Sequence, residues 1–267
     1  LKHNRRSRQV MQAILVATAV KESARYLFFA ILNREGEFTS RRDGNKVRLR
    51  TRGDLQVARE FISHHGPVLP PDIGMNSTAI NAAESVIDLG ANIGLFTIWA
   101  ARTFPHSRVI AIEPDPDNAA LLRRNLALNG IEHRVDVMEV AAGAKADTIS
   151  FITGRAELSR QVFPGDHVEG TQETLVIDIL PLLAASEIVK IDIEGAEWPI
   201  LRDVRFPTCS PQLLMMEWHY RGSEASDPGI EARSLLQDAG FEVLSESRDS
   251  DRCGFVSAGK HTLKRRG

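Results

Sequence analysis

The stretch SVIDLGANIGLFTIWAA, residues 85–101, leaves few folds open to this chain. Val86 and Ile87 form a short apolar run closed by an acid, Asp88. Gly90, Ala91 and Gly94 then make a turn of small residues that another group can approach closely. Asn92 offers a helix cap, and Leu95, Phe96, Ile98 and Trp99 continue at helical spacing. Strand, small-residue turn and helix, in that order, make the βα unit that presents a helix N-terminus to a ligand.

The residues of the turn narrow the ligand. A dinucleotide site uses G-x-G-x-x-G, because pyrophosphate rests on the helix N-terminus. Counting from Gly90, the second glycine position is Asn92 and the third is Leu95, so that fingerprint fails. D-x-G-x-N-x-G stands in its place. An acid at the strand end suits a ligand with a cationic end and no phosphate, such as the amino-acid end of S-adenosylmethionine. A second acid, Glu113, closes the apolar run 109–112, nineteen residues after Gly94. A carboxylate at that spacing, on the next strand tip, can accept both ribose hydroxyls. The two acids together predict a nucleoside cofactor.

The 267 residues have room for one large α/β domain with an appendage, and 43% apolar residues predict a sizeable core. Residues 1–60 hold 14 Lys and Arg against 6 Asp and Glu, a net +8, so the rest carries −10 of the overall −2. Cys209 and Cys253 give neither a disulfide framework nor metal-ligand spacing, and a reducing, cytoplasmic compartment is expected. No run reaches the about 18 apolar residues of a membrane span. Residues 10–32 are expected to form one amphipathic helix rather than a secretory signal, because the pattern continues through Lys21, Glu22 and Arg25.

Three units are predicted: an appendage and lid over 1–80, a cofactor-binding domain over 81–259 and a basic tail over 260–267. In the appendage, Asp43-Gly44-Asn45 reads as the turn of a hairpin within 37–51. Lys46, Arg48, Arg50 and Arg52 share one face of its second strand. That face is either solvated or a surface for an acidic acceptor or membrane head groups. Nucleic acid is not expected, since no aromatics interleave with the charges. A helix follows over 54–64, and a Pro- and Gly-rich linker over 66–75 crosses in front of the sheet.

The core alternates strands and helices, which implies a parallel sheet covered on both faces. Strands are predicted at 109–113, 135–140, 188–193 and 212–218, with a helix from Pro116 to Asn129 capped by Gly130. Pro114 follows Glu113 at the cofactor end. Ala141, at the end of the third strand, faces the same crevice and is expected to border the adenine. The polar stretch 154–173 is expected near the acceptor, with Arg155, Ser159 and Arg160 as contacts. Two last strands, 241–245 and 253–257, read as an antiparallel pair.

Asp192, Glu194 and Glu197 gather where the fourth strand opens into a helix. Helix capping and dipole pairing explain Glu197 and Glu194. They do not explain Asp192, which sits inside an apolar run. Glu217 and His219 alternate with Trp218 and so point to one side of the fifth strand's end.

The segments VIDLGANIGLFTIWAA, VIAIEPDPDNAALLRRNLALNG and, above all, KIDIEGAEWPIL resemble the FkbM family of S-adenosylmethionine-dependent methyltransferases. The resemblance covers about 86–219, and Arg52, Asp54 and Glu60 are similar to the segment that precedes the family's core. It implies a Rossmann-like seven-stranded sheet with an antiparallel last strand, and O-methylation of a sugar, glycan or natural-product hydroxyl. Carried over, Asp88, Gly90, Ala91, Asn92 and Gly94 form the methionine-side loop, Glu113 holds the ribose, and Asp192 and Glu194 are the acidic block beside the reaction centre.

Such chemistry needs a base for the acceptor hydroxyl, and Asp192, Glu217 and His219 are the candidates. A divalent ion on Asp192 and Glu217 is an alternative way to acidify the hydroxyl, permitted but not demanded by the acid count. The acceptor expected is a small molecule or glycan, anionic if basic residues help to bind it. Competing readings are an N-methyltransferase of a small amine and a methyltransferase-like binding module without catalysis. The intact acids and glycines weigh against the second, and the failed glycine fingerprint against a dehydrogenase.

Overall fold

Strands buried on both faces read as continuous apolar runs, and such strands build the centre of the molecule. The computed structural model describes residues 20–21, 35–41, 43–50, 54, 82–153, 159–163 and 171–260. Its main sheet contains β3 (Ser85–Leu89), β4 (Arg108–Ile112), β5 (Val135–Met138), β10 (Ile188–Ile191), β11 (Leu213–His219), β12 (Glu242–Arg248) and β13 (Cys253–Gly259). Their order is β12-β13-β11-β10-β3-β4-β5. Five strands from β11 to β5 run parallel, and β13 is inserted antiparallel between β11 and β12. The seven strands and the antiparallel last strand are as the resemblance implies.

The period-2 alternation sorts side chains into two cores. Val86, Val109, Ala111, Val135, Ile188, Leu213 and Met215 face α1 (Leu95–Thr103) and α2 (Pro116–Asn129), meeting Phe96, Ile98, Leu122 and Leu126. Their neighbours Ile87, Leu89, Ile112, Val189, Ile191, Leu214 and Met216 face the other way. They pack with α3 (Leu180–Ala184), α4 (Glu197–Leu201) and α5 (Pro228–Asp238) through Leu183, Trp198, Ile200, Leu201, Ala232 and Leu236. Asp115 caps α2 by accepting from the amides of Asp117 and Asn118, and Gly130 ends it in the left-handed region at φ 67.

A second sheet stands beside the first. It holds β6 (Ala141–Gly143), β7 (Asp147–Ile152), β8 (Arg160–Gln161) and β9 (Thr171–Asp178), in the order β6-β9-β7-β8. The expected strand 135–140 therefore stops at Met138, and Ala141 and Ala142 belong to β6, paired with β9 rather than with β5. Nothing in the apolar pattern marks this break, because both pieces carry small or branched residues.

The hairpin of β1 (Gly36–Thr39) and β2 (Lys46–Leu49) is present with its turn at Gly44. Two asparagines of α2 bind the free edge of β2. Asn125 accepts from Arg48 N at 2.7 Å and Asn129 from Lys46 N at 2.9 Å, and their amides return bonds to the carbonyls of Arg48 and Lys46. Side chains thus cover an edge that would otherwise invite another strand. Two of the four cations on the basic face of β2 are paired within the protein. Arg48 pairs with Glu35 and Glu37, and Arg50 with buried Asp54 and Asn118. Lys260, counted with the basic tail in the sequence, donates to the carbonyls of Pro207 and Cys209. Val20 and Lys21 of the expected helix over 10–32 are described, and Val20 there makes an antiparallel bridge to Ser40 rather than a helical turn. The rest of that helix, the helix over 54–64 apart from Asp54, the linker 66–75, Arg52 and Arg155 lie outside the described residues. Among the described residues no helix is long and apolar enough to cross a membrane.

Candidate active site

The chain leaves β3 toward β4 on one side and returns to β10 on the other, so the loops after β3 and β10 part and open a crevice at the strands' C-terminal ends. The glycine turn is tied to both neighbours. Gly90 N and Ala91 N donate to Ile112 O at 3.0 and 2.9 Å, and Asp192 N donates to Leu89 O at 3.1 Å. A Cβ on Gly90, at φ +75, would lie 1.8 Å from the Asp192 carbonyl oxygen. The close approach of the β3 and β10 tips therefore requires glycine there. The helix cap is Gly94 rather than Asn92. Asn92 is itself left-handed, at φ 50, and its Oδ1 turns onto the adjacent Ile93 amide at 2.7 Å.

Glu113 reaches across this turn. Its Oε2 accepts from Asn92 N at 2.7 Å, and its Oε1 accepts from Asp115 N at 2.9 Å and Asn118 Nδ2 at 3.4 Å. Burial pushes its carboxyl up to about 7 against the pull of those amide donors. Pro114 is half-buried between Glu113 and the α2 cap. From the second sheet Ser159 Oγ donates to Asp115 Oδ2 at 2.7 Å, which brings β8 beside the same loop.

Asp88 has no exposed surface. Its Oδ2 accepts from Thr97 Oγ1 at 2.5 Å, while Oδ1 has no hydrogen-bond partner among the described residues and faces Lys190 Nζ at 3.4 Å. Burial raises its pKa above the usual carboxylate range. The sequence reading gives Asp88 to a ligand's cationic end, whereas the cation beside it in the structure is Lys190. That ammonium also lies 3.3 Å from Asp192 Oδ2 and donates to Gly90 O at 2.8 Å. Burial disfavours its charge, yet Asp192 and Asp88 outweigh this and hold it protonated. The signal for Lys190 was present, since a charged residue inside a buried strand needs a partner.

Beyond Asp192 a second charge cluster forms. Asp192, Glu194 and His219 place ligand-capable atoms within 4.8 Å of one another. These three converge, not the Asp192 and Glu217 pair anticipated for a metal ion; Glu217 instead faces His219 Nε2 at 3.8 Å. Glu194 Oε2 lies 3.6 Å from that nitrogen. Glu194 is left-handed at φ 56, a conformation that costs a non-glycine residue about 1–2 kcal/mol and persists where surroundings impose it.

Glu197 organises the cluster from beneath, a role its place in the first turn of α4 does not reveal. It is fully buried. Oε1 accepts from His219 N at 2.8 Å and meets His219 Nδ1 at 3.1 Å, and Oε2 accepts from Gly195 N at 2.9 Å. Trp198 Nε1 donates to the carbonyls of His219 and Arg221 at 3.0 and 2.7 Å, locking the same junction. Burial alone would discharge His219, but the Glu197 hydrogen bond and the charges of Glu197, Asp192 and Glu194 outweigh it and lift the imidazole to about 10. Burial lifts Glu194 to about 7, opposed by His219. At neutral pH the histidine is therefore an imidazolium, and the group titrating near neutrality is a carboxylate. Ala141 is a buried residue of β6, at the edge of the second sheet.

The Methyltransferase FkbM domain profile matches residues 88–243. Methyltransferase sdnD of Sordaria araneosa is 26% identical over 212 residues, 65% of this chain and 80% of that protein. Methyltransferase 1 of Beauveria bassiana is 25% identical over 190 residues, 61% of this chain and 74% of that protein. A catechol O-methyltransferase of Mycobacterium tuberculosis is 37% identical over 73 residues, 27% of this chain and 32% of that protein. The matched span begins at Asp88 and takes in the turn, Glu113 and both charge clusters, and on this match over more than half its length the chain belongs to the FkbM methyltransferase family and is a methyltransferase.

Proposed function

We propose that the protein transfers the methyl group of S-adenosylmethionine to a hydroxyl of a sugar, glycan or other natural product, with Glu194 as the base. The observation that carries this reading is the pairing, at adjacent strand tips, of a nucleoside-type turn with a carboxylate poised to titrate near neutrality. The donor set fits this cofactor. Glu113 stands at the β4 tip beside the glycine turn, its oxygens holding the amides of Asn92 and Asp115, and no charged side chain stands in the first turn of α1. Residues 81–259 are the unit that carries the reaction, with 1–80 as an appendage to it.

When bound, S-adenosylmethionine supplies an already activated methyl group. The protein's part is to orient the acceptor and take its proton. Glu194, ionised above about pH 7, accepts the hydroxyl proton as the oxygen–carbon bond forms. His219, held protonated by Glu197, orients Glu194 and stabilises its anion. Asp192 and Lys190 join the two halves of the crevice, and Glu217 adds a further carboxylate beside His219. The three atoms of Asp192, Glu194 and His219 converge closely enough for a divalent ion, but a metal there would have to displace the imidazolium proton. An oxygen acceptor agrees with the relative named a catechol O-methyltransferase. The test is labelled methyl transfer from S-adenosylmethionine into cell extract, with mass analysis of the product. The label should appear on an oxygen of a small molecule or glycan; label on nitrogen would contradict the reading.

A further inference from the structure

Just beyond His219 two arginines meet over one tyrosine ring, in segments that also carry Glu224, Asp249 and Asp251. Tyr220 and Arg221 follow β11, and Arg252 comes from the connection between β12 and β13. The guanidinium carbons of Arg221 and Arg252 lie over the Tyr220 ring, 5.3 and 4.5 Å from its centroid, so the two cations are separated by no more than about 10 Å. Arg252 Nη2 donates to the Tyr220 hydroxyl at 3.0 Å. The backbone fixes this arrangement: Tyr220 N donates to Arg252 O at 2.8 Å, and Arg221 O accepts from Trp198 Nε1 at 2.7 Å.

The rim is built against the acidic loop. A Cβ on Gly195 would lie 2.8 Å from Arg221 Cβ, so Arg221 springs from the wall next to Glu194. Its charge is felt at Glu194, which it helps to keep ionised. Other arginines of this half of the molecule are neutralised: Arg202 by Glu231, Arg205 by Asp178, Arg233 by Glu246 and Arg248 by Asp227. Among the described residues neither Arg221 nor Arg252 has a carboxylate oxygen within 4.0 Å, although several carboxylates stand close by. A guanidinium lying over an aromatic ring still has N–H groups to offer, although Arg252 gives Nη2 to the Tyr220 hydroxyl, and such groups match the planar or forked oxygens of an anion.

We infer that Arg221 and Arg252, held on Tyr220, bind an oxyanion of the acceptor, so that the substrate is a hydroxylated small molecule carrying a carboxylate, sulfate or phosphate. The inference rests on the hydroxyl-methylating reading above and adds the substrate class to it. It also answers a physical difficulty. Asp192, Glu194 and Glu217 would repel an anionic acceptor, and two guanidiniums with no carboxylate oxygen within 4.0 Å among the described residues offset that repulsion. They further orient the molecule with its anionic end outward and its hydroxyl toward Glu194.

The test is calorimetric titration of the full chain, with and without S-adenosylhomocysteine, using 4-hydroxybenzoate and its neutral isostere 4-hydroxybenzamide at low salt. The carboxylate should bind about tenfold or more tightly than the amide, as expected for charge-assisted pairing. Added salt should shrink that preference. In the double variant Arg221→Gln/Arg252→Gln it should fall to about threefold or less, and Arg252→Gln alone, at an exposed position, should lower it part of the way. Thermal unfolding of the same samples reports whether the variants are folded. Equal affinities, no binding of the carboxylate at millimolar concentration, or a preference that survives in the folded variants would overturn the inference. Binding of S-adenosylhomocysteine, read in the same titrations, bears separately on the cofactor reading. Its absence would count against that reading while the carboxylate comparison still decides the arginine rim.

Discussion

At the scale of single residues, the chemistry turns on how burial and charge divide the roles of Glu194, Glu197 and His219. A base works best when its pKa sits near the working pH. Glu194 meets that condition at about 7, and His219, at about 10, does not. Glu194→Gln keeps the side chain's volume and removes the base, so kcat should fall about 100-fold or more with donor affinity unchanged. Steady-state kinetics with calorimetry of S-adenosylhomocysteine checks both halves; unaltered kcat would move the base to Asp192 or Glu217. Glu197→Gln acts differently, because it leaves a buried imidazolium without its main counter-charge. Removing one partner of such a pair costs about 3–5 kcal/mol, measurable by urea unfolding near pH 7.

The same pair makes stability depend on pH in a defined direction. His219 has a folded pKa of about 10 against an ordinary 6.5. Its contribution is therefore fully present below pH 6.5 and is lost as pH rises through about 10. Unfolding free energy should decline across that window in the parent chain and decline less in Glu197→Gln. A window of equal size in both would show that Glu197 does not hold the proton on His219.

At the scale of elements, the crevice depends on two strand tips meeting almost without clearance. Gly90→Ala would drive a Cβ into the Asp192 carbonyl and strain a left-handed residue. We expect a loss of about 2 kcal/mol or more in chemical denaturation, more than the about 1 kcal/mol typical of a point change, together with weakened S-adenosylhomocysteine binding. Stability within about 0.5 kcal/mol of the parent would show that the β3 and β10 tips are free to part. The elements themselves were largely legible in the sequence. Runs such as 86–88 and 109–113 could only be two-faced strands, and Pro116, Asn129 and Gly130 mark the ends of α2. The break between β5 and β6 was not legible, because membership of a second sheet depends on partners distant in the chain. For the same reason Asn92 reads as a cap in the sequence, whereas its backbone is left-handed and its amide donates to Glu113.

At the scale of the whole molecule, one sheet brings to a single edge acids that are scattered from Asp88 to His219 in the chain. Spacing and the family resemblance pointed to most of them, but not to the network that sets their protonation. In the sequence Glu197 reads only as a helix-capping charge and Lys190 only as a charge inside a strand, because a pattern of apolar and polar residues shows that a charge is buried without showing what it meets. The network implies a bell-shaped profile of kcat/KM, rising near pH 7 as Glu194 ionises and falling near pH 10 as His219 loses its charge. A single ascending limb persisting in Glu194→Gln would contradict that assignment.

The central claim is that the β3 turn and Glu113 form a site for a methyl-donor nucleoside rather than a packed structural turn. Calorimetric titration with S-adenosylhomocysteine tests it most directly, with Glu113→Ala and NAD as the comparisons. Tight binding to the parent chain, at least tenfold weaker binding to Glu113→Ala and no binding of NAD are the expected results. Undiminished affinity in Glu113→Ala, or NAD binding more tightly than S-adenosylhomocysteine, would contradict it.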